Sequence, residues 1–575
     1  MKGLLVYLKD YKKESVLGPL FKLLEASFEL VIPLVVASMI DVGIANNDKE
    51  YVVKMCLIMA VLGLTGLISS VTAQFFAAKA AVGFATKLRH ALFAHIQSLS
   101  FSNMDKQGTS TLITRMTSDI NQLQSGVNMV LRLFLRSPFI VFGAMIMAFT
   151  VDVKAALIFV VVIPLLSVVV FGILLVSIPL FGKVQNNLDQ VLGITRENLT
   201  GVRVVRAFGK EQDEIEKFDR QTDALKQMQV VSAKISALMN PLTYIIINGA
   251  LIMLIYTGAL RMEMGILTQG QVVALVNYMS QILVELVKLA NLIITVTKTA
   301  ACGSRVADVF KIPAGMDDHA GMVTASKETG EVCFENVSMR YHEGGEEALS
   351  NISFYAGKGE TIGVIGGTGS GKTSLVHLIP RFYDVEEGSV KVDGVDVREY
   401  DITALRNKIG IVMQKAVLFK GSIRDNLLWG NEDASDEELW QALKMAQAEE
   451  FVLQKDGGLD APIEQEGRNL SGGQKQRLSI ARALVKKPEI LIMDDSASAL
   501  DYATDAKLRK ALKEMPGDTT VFIVSQRASS LMHADQIIVL DDGLIAGIGT
   551  HKQLLESCEI YQEIYYSQFE KREQA

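Results

Sequence analysis

Cysteine is scarce in this chain, and what there is stands apart. The four residues, Cys56, Cys302, Cys333 and Cys558, form no CxxC pair. Their scatter excludes a zinc site built on paired thiolates and a disulfide framework, and it fits a reducing cytoplasm. A large excess of one charge is also missing. The formal net charge of −7 over 575 residues is mild, and it lacks the basic footprint that nucleic-acid binding needs. The N-terminal MKGLLVYLKDYKKE is not followed by a short apolar core and a small-residue cleavage site. No removable signal peptide is therefore expected. A single core is excluded by length, since 575 residues suffice for two or three domains.

Apolar sequence is plentiful but unevenly placed. The hydrophobic fraction of 49% is near the soluble average, yet the apolar residues gather in the N-terminal half. Six long apolar stretches run roughly over 16–45, 52–78, 127–151, 155–181, 241–260 and 272–296. Each meets the ~20 residues that a helix needs to cross a bilayer. These lengths reject strands, so the expectation is six transmembrane helices. Short links at 46–51, 152–154 and 261–269 alternate with long charged ones at 79–124 and 182–240. The long links carry Lys79, Lys87, Arg89, Lys106 and Arg115, then Arg196, Arg203, Arg206, Lys210, Lys217 and Arg220. The N-terminus adds Lys2, Lys9, Lys12 and Lys13. Basic loops on one side place that side, and both termini, in the cytoplasm. Apolar residues at Val82, Ala85, Leu88, Leu92 and Ile96 predict that the second helix continues past the bilayer.

The segment 311–330, KIPAGMDDHAGMVTASKETG, has Pro, Gly and small polar residues without apolar period, and reads as a linker. It divides the chain into a membrane domain, 1–310, and a second domain, 331–575. In the second, short apolar runs alternate with helical segments, the pattern of an α/β domain. Its main motif is Gly366-Gly367-Thr368-Gly369-Ser370-Gly371-Lys372-Thr373, followed by Ser374 at the start of a helical pattern. The loop follows the apolar run 361–365, so it has the strand–loop–helix setting of a phosphate-binding loop. Its backbone N–H groups and the helix N-terminus would hold phosphates. Lys372 would meet the terminal phosphates of ATP, and the Thr373 hydroxyl would ligate Mg²⁺.

A second apolar run, Ile490-Leu491-Ile492-Met493, ends in Asp494-Asp495. Ligands of open α/β sheets bind at such strand ends, which makes Asp494 the expected Mg²⁺ partner. A third motif, Leu470-Ser471-Gly472-Gly473-Gln474, opens a helix and presents another phosphate-shaped surface. Two such surfaces in one chain make sense if the second faces ATP held by another subunit.

With these three motifs in order, the chain resembles the ATP-binding cassette (ABC) exporters in their half-transporter layout, over essentially its whole length. The resemblance implies a helical membrane domain fused to an α/β P-loop NTPase cassette. It implies that Tyr341 stacks on adenine, that Gln414 touches Mg²⁺, and that Ser498-Ala499-Leu500-Asp501 crosses between cassettes, with Asp501 serving the partner's ATP. It also implies short transverse helices near 103–112 and 207–216. Two positions depart from the family pattern. Asp495 stands where the family has its catalytic Glu, and Gln526 where it has its switch His. A carboxylate one methylene short sits farther from the attacking water, and ~1 Å of misplacement can cost ~10²-fold in rate. Gln cannot exchange a proton as His can.

The expectation is thus a bacterial, multi-pass protein of the cytoplasmic membrane. It would export a small-molecule, lipid or peptide substrate as the slow-site half of a heterodimer, its partner a second half-transporter. The alternatives are an ATP-gated regulatory or channel-like subunit and a homodimeric slow exporter. An importer is disfavoured by the fused layout, and processing of leader peptides is not expected. Glu25 and Glu29, one helical turn apart on the first stretch, are candidate substrate contacts. Glu285 and Lys288 are spaced to pair on the last stretch, and His551 reads as a structural or surface residue.

Overall fold

The computed structural model describes residues 2–315, 323–324, 330–341, 345–496, 500–515 and 518–569. They form two compact units, one of Met1–Gln97 with Gly108–Pro313, the other of Ser98–Gln107 with Ala314–Ala575. Much of the expected linker, and Ser498 and Ala499, lie outside the described residues.

The first unit is helical. Among the described residues, six helices are long and apolar enough to cross a membrane: Gly3–Ile44, Lys49–Gln97, Thr109–Val151, Val153–Ala207, Glu211–Glu263 and Gln269–Phe310, here spans 1 to 6. At about 1.5 Å per residue, all exceed the hydrocarbon core of ~30 Å, so they continue beyond it. Small residues set the closest packing. Ala73, Ala77, Ala80, Ala81 and Ala85 of span 2 are fully buried, and a Cβ on Gly18 of span 1 would lie 3.4 Å from the Ala77 backbone nitrogen. Without a hydrophobic drive between helices in lipid, such close backbone approach supplies the attraction. The Tyr278 hydroxyl of span 6 is buried and donates to the Leu30 carbonyl of span 1 at 2.7 Å.

Two details of the membrane half differ from the sequence reading. Val82 is 49% exposed, and Ala81 takes the inward position beside Ala85 and Leu88; the small residue fits where helices crowd. No short transverse helix occupies 207–216. Span 4 ends at Ala207, a turn at Phe208–Gly209 follows with Gly209 at φ +60°, and a 27-residue helix starts at Glu211.

The second unit is a cassette of mixed sheets. Its strands are β1 Val332–Met339, β2 Leu349–Ala356, β3 Thr361–Gly366, β4 Glu387–Val392, β5 Val395–Asp396, β6 Ile409–Val412, β7 Gly421–Ser422, β8 Pro462–Ile463, β9 Ile490–Asp494, β10 Thr520–Val524, β11 Gln536–Asp541 and β12 Leu544–Gly549. The larger sheet runs β12-β11-β3-β10-β9-β6. All its pairs are parallel except the edge pair β11–β12. Helices cover both faces of such a sheet, which is why β9 and β10 are buried at every position. The antiparallel sheet β2-β1-β4-β5 lies beside it.

The short helix Phe101–Gln107, from the loop between spans 2 and 3, belongs to this cassette unit. Phe101 stacks on Phe382 with ring centroids 4.5 Å apart, and the Tyr383 hydroxyl donates to Asp105 at 2.9 Å. The stacking covers part of the Phe101 ring, which stays 37% exposed.

Candidate functional site

The C-terminal ends of β3, β9 and β10 converge on one cleft of ≈ 330 Å³. Tyr341, Thr368, Gly369, Gly371, Lys372, Thr373, Ser374, Gln414, Asp494, Asp495 and Gln526 line it. The parallel sheet thus brings together the glycine loop, the Asp494-Asp495 run and the Tyr341, Gln414 and Gln526 positions that the family resemblance pointed to. β3 delivers the glycine loop. Gly369 and Gly371 sit at φ +87° and +93°, a region costly for residues with a Cβ. At Gly371 a Cβ would also lie 2.7 Å from the Ala348 carbonyl oxygen.

Lys372 opens the helix Lys372–Leu378 and folds over the loop. Its ammonium donates to the Gly366 carbonyl at 3.0 Å, the Gly367 carbonyl at 2.5 Å and the Ser370 hydroxyl at 3.3 Å. Burial pushes its pKa below the ordinary lysine value, against the pull of the Asp495 and Asp494 charges. Carbonyls are modest partners for an ammonium, so phosphate oxygens can displace them. The Tyr341 ring is edge-on to Tyr383 at 5.0 Å, and its hydroxyl lies 2.7 Å from the Ser374 hydroxyl.

The Thr373 hydroxyl donates to Asp494 at 3.0 Å. Asp494 is almost fully buried, and burial raises its pKa, while the Thr373 bond opposes the rise. Burial also raises Asp495, with the Gln414 hydrogen bond the first opposing influence. Two adjacent acids held above the ordinary carboxylate range are stabilised in their ionised form by a nearby cation. Thr373, Gln414 and Asp494 offer hard oxygen donors, the set that Mg²⁺ prefers. The residues present thus fit a Mg²⁺ that arrives with a nucleotide, and would supply its protein contacts.

Asp495 departs from ordinary backbone, with φ +45°. Its N–H donates to the Val524 carbonyl at 3.1 Å. Gln526 is exposed at the cleft rim, and its carbonyl accepts from the Gln568 side chain at 2.8 Å. The same Gln568 amide accepts from the Ala528 N–H at 2.9 Å, so the last helix, Glu559–Gln568, holds the loop that carries Gln526.

The residues of the third, or signature, motif, Leu470 to Gln474, do not line this cleft. Ser471 caps the helix Gly472–Val485 in a reciprocal box with Gln474, and Ser471 and Gly472 are exposed. Asp501 is exposed and caps Tyr502–Lys513 by accepting from the Thr504 N–H at 2.9 Å. The N-terminus of the helix Gly472–Val485 is thus capped and open to solvent. His551 is half-buried, with Nδ1 2.8 Å from the Tyr561 hydroxyl, a structural placement.

The membrane unit holds a second polar cluster. Arg136, buried on span 3, donates to Glu285 of span 6 at 2.6 Å and to Glu29 of span 1 at 2.7 Å, and lies 4.0 Å from Glu25. Glu25 also accepts from Lys22 at 2.5 Å, and Glu285 from Lys288 at 2.7 Å and Ser137 at 2.8 Å. Glu25 and Glu29 are therefore ion-paired. Sequence reasoning missed Arg136, although Arg132 and Arg136 inside the apolar stretch 127–151 were the available signal. It also missed the Phe382–Tyr383 platform, for which no local signal exists.

Comparison with known proteins agrees with this geometry. The family model described as "ABC transporter transmembrane region" matches residues 15–286, and the model "ABC transporter" matches 349–498. The chain is 36% identical over 569 residues to an uncharacterized ABC transporter ATP-binding protein, YfiB, of Bacillus subtilis, covering 99% of both chains. It is 30% identical over 566 residues to the ATP-dependent lipid A-core flippase of Escherichia coli, covering 97% of this chain and 96% of the flippase. A bacterial Atm1-family ABC exporter solved with ATP bound superposes with a TM-score of 0.81 at 24% identity, covering 98% of this chain and 99% of that one.

Proposed function

This chain belongs to the ABC transporter family as a multi-pass membrane protein with the exporter fold and an ATP-hydrolysing cassette, and from that premise we propose that it is one half of a heterodimeric exporter whose own ATP site is slow. The observation that carries the proposal is the pairing of Asp495 and Gln526 in one cleft with a complete phosphate loop. Binding residues are all present, while the positions for activating water and sensing the terminal phosphate hold a short carboxylate and a side chain without acid–base chemistry. The outward Ser471-Gly472-Gly473 surface then completes the partner's site, where hydrolysis is fast. Thr373, Gln414 and Asp494 would hold the Mg²⁺ that accompanies ATP, which would neutralise charge on the phosphates. Both termini face the cytoplasm, because the basic loops lie on that side. The substrate is amphipathic, a reading that the name of the lipid A-core flippase supports for a relative of this length.

The test is a pair of substitutions in the native complex. Asp495→Asn should change ATP turnover little. Ser471→Arg or Gly473→Glu should lower it by ~10²–10³, the value of a preorganised donor at a reacting phosphate. The proposal is falsified if Asp495→Asn abolishes turnover while the signature variants leave it intact.

A further inference from the structure

Span 6 turns one face towards a cavity of ≈ 380 Å³ in the membrane unit. Asn277, Ser280, Gln281, Val284 and Lys288 line it from that span, and Glu29 lines it from span 1. The spacing 277, 280, 281, 284, 288 is one helical stripe. From Gln269, Asn277 is about 12 Å and Lys288 about 28 Å along the helix axis at the standard rise. The cavity therefore sits at bilayer depth. The Gln281 Oε1 atom is buried there without a hydrogen-bond donor.

The formal charges of the surrounding network cancel. Glu25, Glu29 and Glu285 stand against Lys22, Arg136 and Lys288, and every acid has a basic partner within 2.7 Å. Bare carboxylates, which would draw a cation, are not what this wall presents. A head group of net charge would leave uncompensated charge in a medium of low dielectric. The wall nevertheless exposes one charge of each sign, since the side chains of Glu29 and Lys288 are 38% and 41% accessible. A head with one charge of each sign meets both, and Gln281 Oε1 accepts from any N–H or O–H that it carries.

We infer, on the basis of the export reading, that this cavity takes an amphiphile with a zwitterionic head, its apolar tail lying along Val284 and the lipid-facing spans. Head-group charge is thus selected by the balance of the network, and one substitution tips it. Glu29→Gln adds one net positive charge to the wall, and Lys288→Gln adds one net negative charge.

Equilibrium binding of radiolabelled probes to the native complex in nanodiscs, without ATP, tests this. The probes share a dodecyl tail and differ in head: dodecylphosphocholine, dodecyltrimethylammonium and dodecyl sulfate. The zwitterion is expected to bind at least about tenfold tighter than either charged probe. Glu29→Gln should improve dodecyl sulfate relative to the zwitterion, and Lys288→Gln should improve dodecyltrimethylammonium. Glu29 is half-exposed, so its variant carries the test even if Lys288→Gln unfolds the protein. Equal affinity for all three heads overturns the inference. So does a charged preference that Glu29→Gln leaves unmoved, or a lack of saturable binding by every probe. The heterodimer reading stands or falls separately, on the turnover of the signature variants.

Discussion

Replacing Arg136 by Met should destabilise the membrane unit by about 3 kcal/mol, the lower end of the ~3–5 kcal/mol lost when one partner of a buried ion pair is removed. The structure decides where in that range the value falls. Glu285 is only 2% exposed and loses its 2.6 Å partner, which is the expensive part. It keeps Lys288 and Ser137 at 2.7 and 2.8 Å, which limits the cost. Glu29, with its side chain 38% accessible, can recover water. The triple variant Arg136→Met, Glu29→Gln, Glu285→Gln removes the stranded charges with the guanidinium, and should regain most of the loss. Unfolding of the purified chain in mixed micelles of increasing denaturing detergent measures all three proteins. The reasoning is refuted if Arg136→Met unfolds within about 0.5 kcal/mol of the parent, or if the triple variant is no more stable than the single one.

Two further outcomes follow from the cassette. Lys372→Ala removes a charge-assisted donor to phosphate, and should weaken ATP binding by about 10- to 100-fold in a labelled-nucleotide assay; unchanged affinity would remove the phosphate-loop assignment. Burial holds His551 below its ordinary value of 6.5, with His533 and Lys552 adding to the effect. The fold favours the neutral ring, so its contribution to stability is present above that value and lost as pH falls through the lowered one. His551→Phe should therefore flatten the decline in cassette stability on acidification below about pH 6.5, measured by urea unfolding across pH, and an unchanged decline would count against it.

Much of the ATP site was legible because each piece is local. The glycine loop, the run ending in Asp494-Asp495 and the Ser471 cap are contiguous words whose backbone setting can be read from their neighbours. β9 read as a buried strand, since an unbroken apolar run suits a parallel sheet covered on both faces. Their convergence on Tyr341 and Gln414 came from the family resemblance, not from spacing. The membrane cluster was less legible for a physical reason. Glu25 and Glu29 were visible as costly charges, but their partner Arg136 lies over a hundred residues away in sequence, and no periodicity links them. The inward choice of Ala81 over Val82 was hidden because hydrophobicity alone does not report how closely two helices approach.

The docking of Phe101 on Phe382 has a consequence for synthesis. Roughly 280 residues separate the two, which at ~5–20 residues per second is about 14–56 s of translation. Through that interval spans 3 to 6 are made while Phe101 has no ring to stack on. The cassette completes its own surface only when a segment laid down near the start of the chain is still free to receive it. Early collapse of the loop between spans 2 and 3 would leave Phe382 and Tyr383 as an open aromatic patch on an otherwise finished domain. The same dependence means that a cassette cut out at residue 331 lacks a piece of itself, and it should be sticky in solution until a peptide spanning 98–107 is returned to it.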